Sequence, residues 1–538
     1  MNTKTTRPRF ADSLPLLKGR LVGAIPGTFV LGLWLLALLY LSSNRIFWCD
    51  EILLVSLIQA VPLADIVPAL RDGADGGFPL AYWIFKIWPL TPGPMELGLR
   101  VPAVLSGLIA ACGVYLGCRT YLGRPAAWLC VVVGTFGSTM LLRHASEVRF
   151  YGFLYAAAIM LWAALVRMRK YGEGERSAAF WLWFALTCAL NTALVFSHQF
   201  GVLYSLIFGG FAILGMRGKS LRGLLRSLGP FVLGWVLLLF YLPVAAAQRT
   251  ALLGGERLYD APSVASLAKV YLQLLPGFSY EGRAWDEWHE RFSVGLTVLL
   301  WFLAVLLLWK ALRAGNKAAT AFWRANTGAD VALAGALLVL PFVIWIAGWL
   351  GGSFFQIRYL VVSQLGFVIL FSLILKSLTP TIISKRMMIA AGAGILAWSA
   401  LGLAGVPSRA NQIENTFPLP PASHPVLSFR LSEFYHHRYY QPWREIYYFW
   451  DDGWVRANKP IYAYALVDFN IQAVRRKLGM MDGIVRGDEL AALGDSFVVS
   501  AFNQATLDYL RGGVPGFELV SEPTAGGDVP VLRKRKRP

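Results

Sequence analysis

Apolar runs long enough to cross a lipid bilayer recur along this chain, and no other feature constrains its fold as strongly. A helix needs about 20 consecutive apolar residues to span the hydrocarbon core. About eleven such runs can be read, at 21–43, 98–121, 124–142, 150–169, 178–197, 200–216, 227–247, 293–313, 330–350, 356–376 and 387–406. In lipid only helices and closed barrels satisfy their own backbone groups, and runs of this length specify helices. The composition agrees: 56% of the residues are hydrophobic and 15% charged, against roughly a quarter charged in soluble domains. The basic stretch Met1–Arg20 precedes an apolar run too long for the core of a cleaved signal peptide, so the run is read as a retained first helix. No internal repeat is visible, which argues against transporter folds built from repeats.

Loop charge orients the helices. The formal net charge is +19, but the basic residues sit in short loops rather than on one soluble face. They are therefore read as the positive-inside signal and not as a nucleic-acid surface. Lys4, Arg7, Arg9, Lys18 and Arg20 open the series. Arg119 and Arg124, the group Arg167–Arg176, the group Arg217–Arg226, the group Lys310–Arg324 and the group Lys376–Arg386 follow. The alternate loops are mixed or acidic, with Asp50, Glu51, Asp65, Asp72 and Asp75 in the first of them. A cytoplasmic N-terminus follows, and an odd helix count then places everything after about Gly405 outside the cytoplasm.

Two units are expected: a transmembrane part, 1–406, with a large first outer loop over 44–96, and a soluble α/β domain, 407–538. In the latter, Pro442–Arg456 reads as a helix and Pro460–Leu466 as a strand followed by a helix through Arg475 and Arg476. Ser496–Ala501 reads as a second strand and Ala505–Arg511 as a second helix. None of the five cysteines (Cys49, Cys112, Cys118, Cys130 and Cys188) lies in this domain, which therefore holds no internal disulfide. The pair His436-His437 with Glu433 matches no standard zinc spacing, so no metal site is assigned and no cofactor is expected.

The polar chemistry collects at the outer helix ends. Phe47-Trp48-Cys49-Asp50-Glu51 puts two adjacent carboxylates just beyond the first helix. Ile52–Gln59 and Asp65–Leu70 read as short amphipathic helices suited to a membrane surface. Asp75-Gly76-Gly77-Phe78-Pro79 breaks the helix before the run Leu80-Ala81-Tyr82-Trp83 resumes it. The second outer loop holds Arg143, His144, Glu147 and Arg149 within about two turns, more charge than interfacial snorkelling explains. His198 with Gln199, and Gln356, Arg358 and Tyr359, reach the same face.

Taken in order, these motifs resemble the glycosyltransferase C superfamily. The likeness is to the bacterial relatives of protein O-mannosyltransferases and of the lipid A aminoarabinose transferase, which use polyprenyl-phosphate sugars. The resemblance runs from Phe47 to about Lys170. It rests on Trp48-x-Asp50-Glu51, Pro79-Leu80-x-Tyr82, Leu99-Arg100-Val101-Pro102, Gly123–Ala127 and Ser146-Glu147-x-Arg149-x-Tyr151. His198, Arg358-Tyr359-Leu360 and Trp443-Arg444-Glu445 match more weakly. The chain departs from its relatives where Gly77-Phe78-Pro79 replaces a Pro-Pro pair that often follows His or Lys. That departure puts in question a donor-phosphate contact from this position, for which Lys86, about two helical turns further on, is the candidate substitute.

The resemblance implies a bacterial inner-membrane enzyme that transfers a sugar to an envelope glycolipid, polysaccharide or protein without a metal. The chemistry is coherent with the residues. A polyprenyl-phosphate donor needs a membrane groove for its tail, cations for its phosphate and one carboxylate to deprotonate the acceptor. Asp50 is expected as that base, with Glu51 orienting the loop or pairing with an arginine. Arg149, Arg358 and Tyr359, with Arg143 and Lys86 behind them, are expected at the phosphate. Glu147 is expected to position Arg149, with His198, Arg100 and Tyr82 in support. A lipid flippase or transporter and a non-catalytic scaffold are the alternatives. The first does not account for a loop of about 50 residues bearing a carboxylate pair, and the second leaves that pair and the arginines without a shared purpose.

Overall fold

The computed structural model describes residues 14–535 apart from 89–94, 172–176, 216–219, 254–261, 275–327, 352–354, 379–383, 407, 410–423, 459–464, 480–482, 501–503, 515 and 522–529. Among the described residues, seven helices are long and apolar enough to cross a membrane. They are Gly27–Asn44 within α1 (Leu14–Asn44), α5 (Met95–Cys118), α8 (Tyr151–Met168), α9 (Ala178–Ser197), α11 (Leu221–Leu253), Gly328–Leu350 and Lys385–Ala404. Shorter apolar helices include α6 (Arg124–Thr135), α10 (Gln199–Leu214) and Ser363–Leu378. All but one of the expected spans thus coincide with helices. The expected span 293–313 lies outside the described residues.

Two spans are shorter than the apolar runs predict. The run 124–142 breaks after Thr135, because Ser138 takes an extended backbone and its hydroxyl caps α7 (Thr139–His144) by accepting from Leu141 N. The run 356–376 begins as a single 3-10 turn, Ile357–Leu360, before the helix Ser363–Leu378. Both breaks bring charged residues to one end of the bundle.

Small residues set the packing there. At Gly107 of α5 a Cβ would lie 2.7 Å from Leu38 and 2.9 Å from Ala145, so α1 and α7 close onto α5 only over glycine. Trp34 Nε1 then reaches the Gly107 carbonyl at 3.0 Å. Gly117, one face further along α5, accommodates the Trp162 ring of α8 in the same way.

The first outer loop folds as α2 (Cys49–Ala60), α3 (Ile66–Arg71) and α4 (Pro79–Ile87). α2 is not the exposed amphipathic helix that its pattern suggested. Its run Ile52–Ile58 is apolar on almost every face, and all of it but Ser56 is buried. The cover comes from helix Leu431–Tyr440, which shares a core with Phe47, Leu54, Ala74 and Tyr82.

That helix belongs to a six-stranded sheet in the order β3-β2-β1-β4-β6-β5. Strands β1 (Val426–Ser428), β2 (Ile446–Phe449), β3 (Ile484–Val485) and β4 (Ser496–Ser500) are parallel, while β6 (Val531–Lys534) pairs antiparallel with β4 and with β5 (Phe517–Ser521). Val426 stands opposite both Ile446 and Val498. The α/β reading and the Ser496 strand hold. The expected helix over Pro442–Arg456 is instead β2 followed by helix Asp452–Asn458, because Ile446-Tyr447-Tyr448-Phe449 suits a covered pleated surface. The strand expected at Pro460–Leu466 lies mostly outside the described residues, and Ala465 already begins the helix Ala465–Lys477.

Candidate active site

The two adjacent carboxylates of the first outer loop have opposite environments. Glu51 is fully buried and its lone pairs are taken. Oε1 accepts from Arg100 Nε at 3.0 Å and Val148 N at 2.8 Å; Oε2 accepts from Arg100 Nη2 at 2.8 Å and Trp48 N at 3.2 Å. Arg100, equally buried, also donates to the carbonyls of Ser42, Arg45 and Ile46 at the end of α1. One ion pair therefore ties α1, α5, α2 and the second outer loop together. Such saturation suits a fixed anchor and leaves no site for an acceptor proton.

Asp50, one residue earlier in the first turn of α2, is 21% exposed. Its Oδ2 accepts from Arg358 Nη1 at 2.8 Å and lies 3.6 Å from Arg149 Nη2. Arg149 Nη1 also donates to the Asp50 carbonyl at 3.0 Å and to Asp75 Oδ2 at 3.2 Å. Burial alone would lower the Arg149 pKa, but Asp75 and then Asp50 outweigh it and hold the guanidinium charged. Among the described residues, Arg149 Nε and Trp48 Nε1 are buried without an acceptor. Two donors therefore await a ligand oxygen beside the carboxylate.

Aromatic rings wall the site. The Arg358 guanidinium lies 5.4 Å from the Trp48 ring centre and 5.5 Å from that of Tyr359, and Arg149 lies 5.0 Å from that of Phe150. His198 is stacked between Phe150 at 4.5 Å and Tyr359 at 4.7 Å, and its Nδ1 accepts from Phe200 N, capping α10. Burial, with Arg149 and Arg358 nearby, pushes its pKa down to about 3. The imidazole is therefore neutral, and its place is in the wall.

Glu147 does not position Arg149 through its side chain. The buried carboxylate accepts from Arg45 at 3.1 Å, Arg143 at 2.9 Å and His144 Nδ1 at 2.8 Å. Burial would raise its pKa, yet His144, Arg143 and Arg45 hold it well below the usual range. Burial outweighs the pull of Glu147 and lowers the His144 pKa. Arg143, so held, lies 5.7 Å from the Trp48 ring centre at the rim of the site. Lys86 is not brought to the site at all. Its Nζ donates to the Ile58 carbonyl at 2.6 Å, eight residues or about 12 Å along α2 from Asp50.

Two residues escaped the sequence reading. Arg45 is one. The other is Asp75, noted in the loop but given no role, which is buried and meets Arg149 from 74 positions away. Its turn is held by Gln248 of α11, whose Nε2 donates to the Asp75 and Gly77 carbonyls at 2.8 and 2.9 Å. Tyr82 backs the same turn, since a Cβ on Gly77 would lie 2.6 Å from its hydroxyl. The available signal was an acid opening a Gly-Gly-Phe-Pro break, but nothing local names its partner.

Among the described residues no group of three or more His, Cys, Asp or Glu is placed to hold a metal ion. His436 and His437 are both buried in helix Leu431–Tyr440, with His436 Nδ1 on the Ser432 carbonyl.

Bundle, loop and sheet together have the fold of a solved membrane protein of the kind that the ordered motifs resemble. In particular, the chain is similar to ArnT from Cupriavidus metallidurans in the apo state. The two are 13% identical, with 96% of this chain and 98% of that one covered at a TM-score of 0.54. The undecaprenyl-phosphate-bound form of ArnT matches at the same identity and coverage with a TM-score of 0.50. No protein-family profile and no curated protein sequence matches the chain.

Proposed function

We propose that the chain is an inverting membrane glycosyltransferase that moves a sugar from a polyprenyl-phosphate donor to a cell-envelope acceptor, a glycolipid, polysaccharide or protein. The observation that carries this reading is Asp50. It is a partly exposed carboxylate clamped by Arg358 and Arg149 at the outer end of a helical bundle, with unmatched Arg149 and Trp48 donors beside it. The ArnT form that holds undecaprenyl phosphate supports the class of donor, because the fold is shared over nearly the whole chain.

In this reading Arg149 and Arg358 hold the donor phosphate, Arg143 stands at the rim, and Tyr359 and His198 wall the sugar. Asp50 takes the proton of the acceptor hydroxyl as its oxygen attacks the anomeric carbon. The bond from that carbon to the phosphate oxygen breaks, and polyprenyl phosphate leaves with the electron pair. A single displacement inverts the anomeric centre, by the logic of single-displacement glycosidases. The N-terminus lies in the cytoplasm of a bacterial cell, and residues 407–538 form an outer domain over the site, where the acceptor is chosen. Residues 1–406 form the inner-membrane transferase part.

The test is sugar transfer by purified protein in nanodiscs, from radiolabelled polyprenyl-phosphate sugars to an envelope extract. Asp50→Asn is expected to abolish transfer while donor binding survives. Undiminished transfer by Asp50→Asn refutes the base, and no transfer from any donor, with intact lipid crossing liposomes, refutes the enzyme.

A further inference from the structure

The motif Trp443-Arg444-Glu445 takes no part in the site around Asp50, and its first residue stands out on the surface. Trp443 is 76% exposed. Single exposed aliphatic side chains are ordinary on any protein, whereas a tryptophan is highly buried on average. Open tryptophans are instead characteristic of the boundary between membrane and water, where the indole has both an apolar body and a polar edge to place. Whether that explanation applies depends on where Trp443 is held.

The turn that carries it is well defined. Helix Leu431–Tyr440 ends as Gln441 N donates to the His437 carbonyl at 2.7 Å, and Arg444 N then donates to the Gln441 carbonyl at 3.0 Å. Pro442 and Trp443 are the central residues of this turn, and proline is common at the first of them. The helix end before the turn is fastened to the ends of three membrane helices. Phe47, three residues past the end of α1, donates its N–H to the Tyr440 hydroxyl at 2.5 Å and packs edge-on against Tyr439 at 5.5 Å. The Tyr439 hydroxyl donates to Met95 Sδ at 3.1 Å, at the start of α5. Arg409, five residues beyond helix Lys385–Ala404, donates to Glu96 Oε1 at 2.9 Å and lies 5.7 Å from the Tyr440 ring centre.

These contacts set the level of the turn. The apolar part of α1, Gly27–Asn44, is about 27 Å long at the helical rise, close to the hydrocarbon thickness of a bilayer. Asn44 therefore marks one edge of the hydrocarbon, and Phe47 lies just beyond it. Trp443 is three residues from Tyr440, at most about 11 Å along the chain, and the headgroup layer is roughly 5–7 Å deep. α1 and helix Lys385–Ala404 each carry an exposed apolar side chain close to this end, Tyr40 and Leu401, so the turn stands at the lipid-facing rim of the bundle. We propose that turn 441–444 is a membrane foot of the soluble domain, with the Trp443 ring in the phospholipid headgroup layer on the Asp50 side of the bilayer. The foot braces helix Leu431–Tyr440 where it covers α2. The proposal stands apart from sugar transfer, since neither Asp50 nor its arginines take part.

The full chain in phosphatidylcholine nanodiscs tests it, with the photoreactive aromatic p-benzoylphenylalanine in place of Trp443. Irradiation, digestion and mass spectrometry are expected to show phosphatidylcholine adducts at position 443. The same replacement of Val520 should give none, because that residue is also exposed but lies on β5, four strands from β2 or about 19 Å at the usual strand spacing. No lipid adduct at 443, or adducts equally frequent at 520, overturns the proposal. So does a link from 443 to a second copy of the chain, or to glycan when an envelope extract is added, in place of lipid. Amide hydrogen exchange in nanodiscs gives a second reading. Exchange in helix Leu431–Tyr440 should quicken in Trp443→Asp and stay at the wild-type rate in Trp443→Tyr, which keeps an interfacial aromatic. Equal exchange in the two variants overturns the brace.

Discussion

Replacing Glu51 by Gln tests whether the anchor beneath Asp50 is electrostatic. The substitution keeps shape and one acceptor oxygen but turns an amide NH2 toward Arg100, a guanidinium with no solvent exposure. Breaking a buried pair by neutralising one partner costs about 3–5 kcal/mol, because the remaining charge is left uncompensated. At the usual unfolding entropy per residue, a chain of 538 residues shifts by about 1 °C per kcal/mol, so the melting temperature should fall by roughly 3–5 °C. Transfer should fall too, since the Glu51 side chain holds Trp48 N and Val148 N on either side of the reacting carboxylate. Removing both charges in Glu51→Leu/Arg100→Met should restore part of the melting temperature, as apolar replacement of buried pairs often does. Transfer should stay low, because the carbonyls of Ser42, Arg45 and Ile46 lose their donor. The assay is intrinsic tryptophan fluorescence on heating in nanodiscs, with transfer measured in parallel. An unchanged melting temperature and full transfer in Glu51→Gln would refute the reasoning.

Three further outcomes follow from the geometry. His198 has a folded pKa of about 3 against an ordinary 6.5, so its contribution is complete above pH 6.5 and is lost as pH falls toward 3, at up to about 1.4 kcal/mol per unit. His198→Phe, which keeps the ring stack, should flatten the acid decline in thermal stability; an identical decline in wild type and variant contradicts this. Arg475, fully buried on the outer domain, donates to the carbonyls of Ala74 and Leu53, to Ser56 Oγ and to the Tyr435 hydroxyl. Arg475→Ala should expose the first outer loop to limited proteolysis, and Arg475→Lys should rescue it only in part. Arg358→Lys keeps the charge but loses the planar fork, so kcat should fall more than donor KM rises; a pure KM effect would place Arg358 outside the reacting centre.

Much of the fold was legible because bilayer-length apolar runs leave few alternatives. The errors occurred where one side chain overrode a pattern, as at Ser138, or where cover came from far along the chain. α2 reads as a surface helix until helix Leu431–Tyr440 is known to cover it. For the candidate site, Asp50, Glu51, Arg149 and Arg358 could be singled out from their types and their places at helix ends, and the structure brings them together. Which arginine serves which acid could not be read in this way. Glu147 holds Arg143 and Arg45, while Asp75 holds Arg149, and the partners Arg45 and Asp75 lie 102 and 74 positions from the groups they meet. Lys86 shows the converse: a cation near in sequence is carried away by the direction of its own helix.

The resting site contains two acids and two arginines, Asp50 and Asp75 with Arg149 and Arg358, whose formal charges cancel. In the proposed reaction the donor phosphate enters with one negative charge, and the leaving phosphate gains a second as the sugar departs. Asp50 becomes neutral in the same step, as it takes the acceptor proton. Arg358 then loses its carboxylate partner just as the phosphate needs more positive charge, and the two guanidinium groups need move little to supply it. Preorganised charge of this kind is usually the largest contribution to catalysis. Asp75 stays paired with Arg149 throughout, keeping that arginine in place while Arg358 changes partner. In the proposed reaction, asymmetry between the two arginines, one anchored by a second acid and one held by Asp50, would join proton removal to the departure of the phosphate.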